Sequence, residues 1–119
     1  MVFIESHAFT RRLLELAGDS ADSVLRAIQD ELLANPEKGD MVRGLSGIRK
    51  ARSSNPIRGK GKRGGLRYLY LYLAHRSHLY LLYVMDKDEQ EDLSAADRSQ
   101  LRELASRIKG MWDQICQKA

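Results

Sequence analysis

The chain has 119 residues, of which 43% are hydrophobic and 30% are charged, and it contains a single cysteine. This length suits one hydrophobic core and excludes a large multidomain enzyme, so we expect a single domain over residues 1–119. The longest apolar runs have seven residues, well below the roughly 20 that cross a bilayer, and one cysteine cannot build a disulfide framework. We therefore expect a soluble cytoplasmic protein with no membrane contact.

The positive charge is concentrated in the middle of the chain. Residues 43–67 contain nine Lys and Arg and no Asp or Glu, whereas the remaining sequence has an excess of five acidic residues. A segment of this charge repels itself unless a polyanion neutralises it. We therefore expect a polyanion-binding surface; the alternative is a solvated basic loop that only aids solubility.

The first third of the chain is predicted to form a short strand and two helices. Val2–Glu5 is β-prone, and Ser6 can cap a helix that runs to about Ala17. Ser20 is predicted to cap a second helix with apolar residues at helical spacing. That helix should end at Asn35, because a residue before proline is pushed away from helical geometry.

The basic segment is predicted to begin with a strand. Residues 37–47 contain three glycines and no periodicity, and we expect them to be a loop. The residues 48–52 that follow alternate as a strand does, with Lys50 and Arg52 on one face and Arg49 and Ala51 on the other. Residues 53–65 should be a mobile basic loop.

Two long apolar segments, Leu66–Ala74 and Leu79–Lys87, are predicted to form an antiparallel hairpin. In the first, three tyrosines share one face, where we expect core packing rather than base stacking, and Arg67 shares the other face with three leucines. In the second, simple alternation places five residues on one face: Leu79, Leu81, Tyr83, Met85 and Lys87.

A last helix should start with Ser94 as its cap and carry an apolar stripe that packs on the sheet. The predicted fold class is therefore α+β. A small antiparallel β-sheet carries two N-terminal helices on one side and a C-terminal helix on another.

The residues that could carry chemistry are mostly cations. One cysteine and three histidines cannot assemble a closed zinc site, and no cofactor motif is present, so we expect neither metal nor cofactor. Side chains on one face of neighbouring strands lie roughly 5 Å apart, which would bring Lys50, Arg52, Arg67 and Lys87 together. Such a cluster suits a phosphodiester.

Several segments of the chain form a set of motifs. They are Gly39-Asp40, Gly47-Ile48-Arg49-Lys50-Ala51-Arg52, Gly59-Lys60-Gly61-Lys62-Arg63-Gly64-Gly65-Leu66-Arg67, Tyr80-Leu81-Leu82, Lys87-Asp88-Glu89 and Asp92-Leu93. Together they resemble the HigB-like toxins of the RelE superfamily, and the resemblance covers roughly residues 2–109. It implies a RelE-like fold and a toxin of a type II toxin–antitoxin system, which acts as a ribosome-dependent endoribonuclease (an mRNA interferase).

A metal-independent ribonuclease must align the 2′-hydroxyl of RNA with the phosphorus, remove its proton and stabilise the charge that develops. No histidine lies in the basic strands, and neighbouring cations disfavour a charged ammonium, so Lys50 is the candidate base and Lys87 the second choice. Arg52 and Arg67 are expected to clamp the phosphate, and Lys87 or Arg67 to protonate the leaving oxygen. A further set is expected to hold RNA: Arg49, Arg58, Lys60, Lys62, Arg63 and Tyr83.

The resemblance also implies partners. They are an adjacently encoded antitoxin with a helix-turn-helix, the ribosome and mRNA, with operator DNA contacted only through the antitoxin. Two other functions stay open: a toxin of the same fold that inhibits another target such as gyrase, and a non-catalytic RNA-binding protein.

Overall fold

A sheet with helices on both faces organises the protein. The structure, a computed structural model, describes residues 1–53, 66–86 and 93–118, with side chains described as far as Trp112. Within them the elements are β1 (Val2–Glu5), α1 (His7–Ala17), α2 (Ala21–Ala34), β2 (Asp40–Met41), β3 (Arg49–Arg52), β4 (Arg67–Leu73), β5 (His78–Met85) and α3 (Ala95–Lys118). The predicted α+β class, with its two leading helices and its C-terminal helix, is confirmed.

The strands are ordered β1-β5-β4-β3-β2. All neighbouring pairs are antiparallel except β1 with β5, which are parallel. The expectation of a purely antiparallel sheet is therefore wrong at one edge. Two helices and three strands separate β1 from β5 along the chain, so no hairpin turn fixes their relative direction.

The two faces of the sheet bury separate apolar clusters, and β4 contributes to both. Tyr68 and Tyr70, fully buried, pack with Phe9, Leu13 and residues of α2 on one face. On the other face the β4 leucines pack with α3, through residues such as Ala105 and Ile108. The predicted split of β4 into a tyrosine face and a leucine face is confirmed. Each fully buried side chain of this size contributes about 1.5–3 kcal/mol.

β5 contains a bulge that changes which face its residues occupy. Leu69 pairs with Tyr83, but the adjacent Tyr70 pairs with Leu81, which leaves Leu82 as an extra residue. The prediction of one shared face for the alternate residues of this strand is therefore wrong. Before the bulge the odd-numbered residues face α1 and α2, and after it they face α3.

Two of the three predicted helix caps are formed. The Ser6 Oγ accepts a 3.0 Å hydrogen bond from the backbone N–H of Phe9, and the Ser94 Oγ accepts one of 3.0 Å from that of Asp97. The cap predicted at Ser20 is wrong. Ser20 ends a 3-10 turn with φ −90° and ψ 2°, not the extended backbone of a capping residue, and its side chain makes no capping bond.

The segment predicted as an irregular loop contains β2, whose residues Asp40 and Met41 pair with β3. The residues after β2 are held to α3 by basic side chains that donate to backbone carbonyls. These bonds run from Arg98 to Arg43 (2.6 Å), from Arg102 to Gly44 (3.0 Å) and from Lys109 to Ser46. They fix the entry of the chain into β3. In the described ranges, no helix is both long and apolar enough to cross a bilayer.

Candidate functional site

Two arginines stand directly opposite each other on neighbouring strands. Arg52 of β3 pairs with Arg67 of β4, and the next pair along, Ser53 with Leu66, is closed by a 2.8 Å backbone hydrogen bond. Because antiparallel pairs alternate, Arg52 and Arg67 form a non-hydrogen-bonded pair, in which Cα atoms lie about 4.5 Å apart. Like charges directly opposite each other are destabilising, so this position favours a bound anion.

Lys50 lies on the same face, two residues before Arg52, and pairs with Leu69. The three cations border a depression of about 340 Å³, lined by Lys38, Asp40, Lys50, Ala51, Arg52 and Arg67. Within the part of the chain that the structure describes, no hydrogen bond or ion pair engages the side chain of Lys50 or Arg52. Their charges are therefore available to a ligand.

Two residues of this depression, Lys38 and Asp40, were missed by sequence reasoning. Asp40 stands opposite Lys50 in the pairing of β2 with β3, so one carboxylate lies among the cations. Four basic side chains and one carboxylate line the depression, and the Glu31 carboxylate, 2.8 Å from the Lys38 ammonium, balances the charge of Lys38. The remaining excess of positive charge suits an anionic group better than a neutral one.

Arg49 lies on the opposite face of β3, as alternation predicted. Its guanidinium donates to the carbonyl of Gly39 at 2.7 Å and to that of Glu37 at 3.4 Å, and the Glu37 carboxylate lies 3.8 Å away. These contacts hold the loop before β2 in place. A contact of Arg49 with RNA stays a prediction.

Tyr70 anchors the same loop from the core. Its hydroxyl donates to the Pro36 carbonyl at 2.8 Å and accepts from the Gly39 N–H at 3.0 Å. Burial raises the pKa of Tyr70, so the phenol stays protonated and able to donate. A tyrosine of the core thus positions the loop that carries Lys38 and Asp40.

Tyr83 lies on the cationic face because of the bulge, opposite Leu69 and therefore two strands from Lys50. It lines a second pocket of about 200 Å³ between β5 and α3, with Leu82, Leu101 and Leu104 among its neighbours. The guanidinium carbon of Arg12 lies 5.8 Å from its ring centroid. Its contact with RNA stays a prediction.

Five of the residues predicted for the site lie outside the described residues. They are Arg58, Lys60, Lys62, Arg63 and Lys87. The structure thus brings together Lys50, Arg52 and Arg67. An ammonium and two guanidiniums on one face can bind a phosphate and offset the negative charge that develops on it.

Solved structures with a similar fold include three of an E. coli toxin. No protein-family model matches the sequence. The chain is similar to the E. coli toxin RelE in the free state, as a variant with two arginines replaced by alanine, with a TM-score of 0.52 and 15% identity over 76% of this chain and 86% of that one. The chain is also similar to the isolated E. coli RelE toxin, with a TM-score of 0.51 and 15% identity over 76% of this chain and 87% of that one.

A third similar structure is the intact E. coli RelBE toxin–antitoxin complex. It gives a TM-score of 0.51 and 16% identity over 74% of this chain and 98% of that chain. At such low identity the likeness concerns the fold, and the chain has the fold of the RelE toxin.

Proposed function

We propose that this protein is a RelE-superfamily toxin of the HigB-like kind, which cleaves mRNA on the ribosome without a metal ion. The observation that carries the proposal is the cross-strand pair of Arg52 and Arg67 with Lys50 on the same face. The RelE-like fold supports a toxin, and the motifs around Lys50 and Arg67 support the HigB-like kind.

The cationic face suits the chemistry of RNA cleavage. The uncharged amine form of Lys50 accepts the proton of the 2′-hydroxyl and becomes an ammonium, and the 2′-oxygen attacks the adjacent phosphorus. A bond forms between the 2′-oxygen and phosphorus, and the bond from phosphorus to the 5′-oxygen breaks, which leaves a cyclic phosphate and a 5′-hydroxyl. Lys87 or Arg67 returns a proton to the 5′-oxygen. DNA lacks the 2′-hydroxyl and is spared.

The two guanidiniums hold the phosphate. The planar guanidinium groups of Arg52 and Arg67 match the phosphate geometry with paired N–H groups. Charge on the pentacoordinate phosphorus is offset by these groups, so the proposal requires no metal.

The proposed toxin acts on ribosomes of the cytoplasm and is neutralised by an antitoxin. The likeness to the toxin of the RelBE complex supports such a partner. A surface with an excess of cations attracts an acidic antitoxin segment and raises its rate of association. Operator DNA would be contacted through the antitoxin.

Expression in bacteria tests the proposal. We expect growth arrest with transcripts cut inside translated codons, abolished by Lys50→Ala or Arg52→Ala. The control is Arg107→Ala, which removes only an exposed pair with Glu103 (side chains 70% and 68% exposed) and should remain toxic. Arrest with DNA damage and intact transcripts would instead indicate a gyrase inhibitor.

Absence of toxicity from folded protein that still binds RNA would indicate a non-catalytic RNA-binding protein. The partner is tested by co-expression with the adjacent open reading frame. We expect growth to be restored and the two proteins to elute together in size-exclusion chromatography. Separate elution would contradict the antitoxin proposal.

A further inference from the structure

β2 stops two residues short of Arg52. Asp40 pairs with Lys50, and Met41 with Arg49, so a longer β2 in this register would place Lys38 opposite Arg52. Ser53 and Leu66 form a hydrogen-bonded pair between β3 and β4, so the adjacent pair, Arg52 with Arg67, is non-hydrogen-bonded. The backbone carbonyl of Arg52 therefore points away from β4, toward β2. Among the described residues, no strand residue pairs with the Arg52 carbonyl on that side. A backbone carbonyl of a folded protein needs a hydrogen-bond partner, so another group must supply one.

The Lys38 side chain supplies that partner. Its ammonium donates to the Arg52 carbonyl at 3.1 Å and to the Glu31 carboxylate at 2.8 Å. Glu31 belongs to α2, and its side chain is only 17% exposed. Lys38 therefore links the end of β3 to a helix packed on the opposite face of the sheet. Hydrogen bonds with a charged partner are roughly twice as strong as neutral ones.

We propose that Lys38, held by Glu31, is a positioning residue that fixes Arg52 for the scissile phosphate. This inference rests on the proposed function. Arg52 is the last residue of β3 and is exposed. The position of its Cα therefore depends on the hydrogen bonds of its backbone, including the one that Lys38 donates to its carbonyl. Because the charges of Lys38 and Glu31 balance each other, the link adds no net charge to the depression.

A misplacement of about 1 Å of a phosphate-binding group can lower a rate on the order of a hundredfold. We therefore expect Lys38→Met to lower the single-turnover rate of mRNA cleavage on programmed ribosomes by about 10- to 100-fold, with KM changed less than about twofold. Glu31→Gln should act in the same direction, because a neutral amide oxygen holds the Lys38 ammonium less strongly than a carboxylate does. Lys38→Arg, which can still bridge carboxylate and carbonyl, should recover most of the rate.

A double-mutant cycle separates positioning from other roles. If Lys38 acts through Arg52, the variant Lys38→Met/Arg52→Ala cleaves no more slowly than Arg52→Ala alone. The matched control is Arg107→Met, which removes a cation from an exposed ion pair with Glu103 on α3, outside the depression. It should keep the wild-type rate at a temperature where circular dichroism shows all variants to be folded.

An unchanged cleavage rate in folded Lys38→Met would overturn the inference, and so would additive losses of rate in the double variant. A raised KM with a lower salt dependence in Lys38→Met would also overturn it, because it would indicate that Lys38 contacts the phosphate directly. Failure of the proposed function is distinct, since wild-type protein itself would then not cleave. In that case the same cycle, measured as affinity for a 2′-deoxy-substituted RNA oligonucleotide, decides the positioning role. Additive losses of affinity would again overturn it.

Discussion

The Ser6 hydroxyl donates a 2.8 Å hydrogen bond to the carbonyl of Leu82, the extra residue of the bulge in β5. The same oxygen accepts from the N–H of Phe9 and so starts α1. One side chain thus supplies a partner for a bulge carbonyl and caps a helix. Bulges leave a backbone group outside the regular ladder, and this contact fixes the bulge that turns Tyr83 toward the cationic face.

Replacing Ser6 should therefore cost more than the loss of a helix cap. We expect Ser6→Ala to lower the free energy of unfolding by about 2 kcal/mol, of which about 1 kcal/mol is the cap and the rest the unsatisfied carbonyl. Ser94→Ala removes a cap alone and should cost about 1 kcal/mol. Urea denaturation measures both. Equal losses would mean that the bond to Leu82 contributes nothing.

The bulge itself could not be predicted from the sequence. Alternation reveals a register only where one face is polar, and every residue from Leu79 to Met85 is apolar. Both faces of β5 are covered by helices, so a shift of one residue leaves no polar side chain in the core to signal it. The helices were predictable because their apolar stripes repeat at one period, with polar residues between.

The core of the candidate site was predictable, and its border was not. Lys50 and Arg52 are two residues apart on β3, so the period of two places them on one face of the sheet, and Arg67 begins the neighbouring strand β4. Lys38 and Asp40 reach the depression through β2, which has two residues and no apolar pattern. Its position depends on its register with β3, which the local sequence does not encode.

A methyl group at Gly39 should disturb the site. A Cβ there would lie 2.8 Å from the Lys50 carbonyl oxygen and 3.0 Å from the ring atom Cε1 of buried Tyr70. A strand carbonyl and a buried ring can move away only at a cost in free energy. We expect Gly39→Ala to lower the free energy of unfolding by about 1–3 kcal/mol through overpacking and to reduce the proposed mRNA cleavage. Chemical denaturation and the cleavage assay measure the two effects.

Gly110 provides the matched control for this substitution. It lies within α3, and a Cβ there meets nothing within 4 Å. Gly110→Ala should stabilise the protein by about 0.5–1 kcal/mol, because alanine favours the helix, and should leave cleavage unchanged. A Gly39→Ala protein as stable and active as wild type would show that β2 does not need to approach β3 this closely.

Stability should fall above about pH 10. Burial raises the pKa of Tyr68, the nearby Glu31 carboxylate raises it further, and burial also raises the pKa of Tyr70. An unfolded chain releases these phenolic protons near pH 10, whereas the folded protein retains them. Above about pH 10 the unfolded state therefore binds fewer protons than the folded state. The stability that the two protonated phenols contribute is fully present below about pH 10 and is lost as the pH rises through their raised pKa values.

Urea denaturation at pH 8 and pH 11 measures this loss. We expect Tyr68→Phe to be less stable than wild type at pH 8 but to lose less stability on going to pH 11, since one of the two phenols is then absent. Parallel curves for wild type and variant would contradict the assignment of the alkaline loss to the buried phenols.

Asp40 should weaken the binding of RNA, because its carboxylate stands opposite Lys50 in a depression otherwise lined by cations. Asp40 is exposed, and in water two unit charges about 4 Å apart interact by roughly 1 kcal/mol. We therefore expect Asp40→Asn to bind an RNA oligonucleotide about threefold to tenfold more tightly at low salt. The gain should shrink at 0.5 M salt as the charges are screened. Glu103→Gln makes the same change of net charge on an exposed residue of α3 outside the depression, and should alter affinity far less. Equal gains from both substitutions would mean that net charge alone, rather than the position opposite Lys50, determines the affinity for RNA.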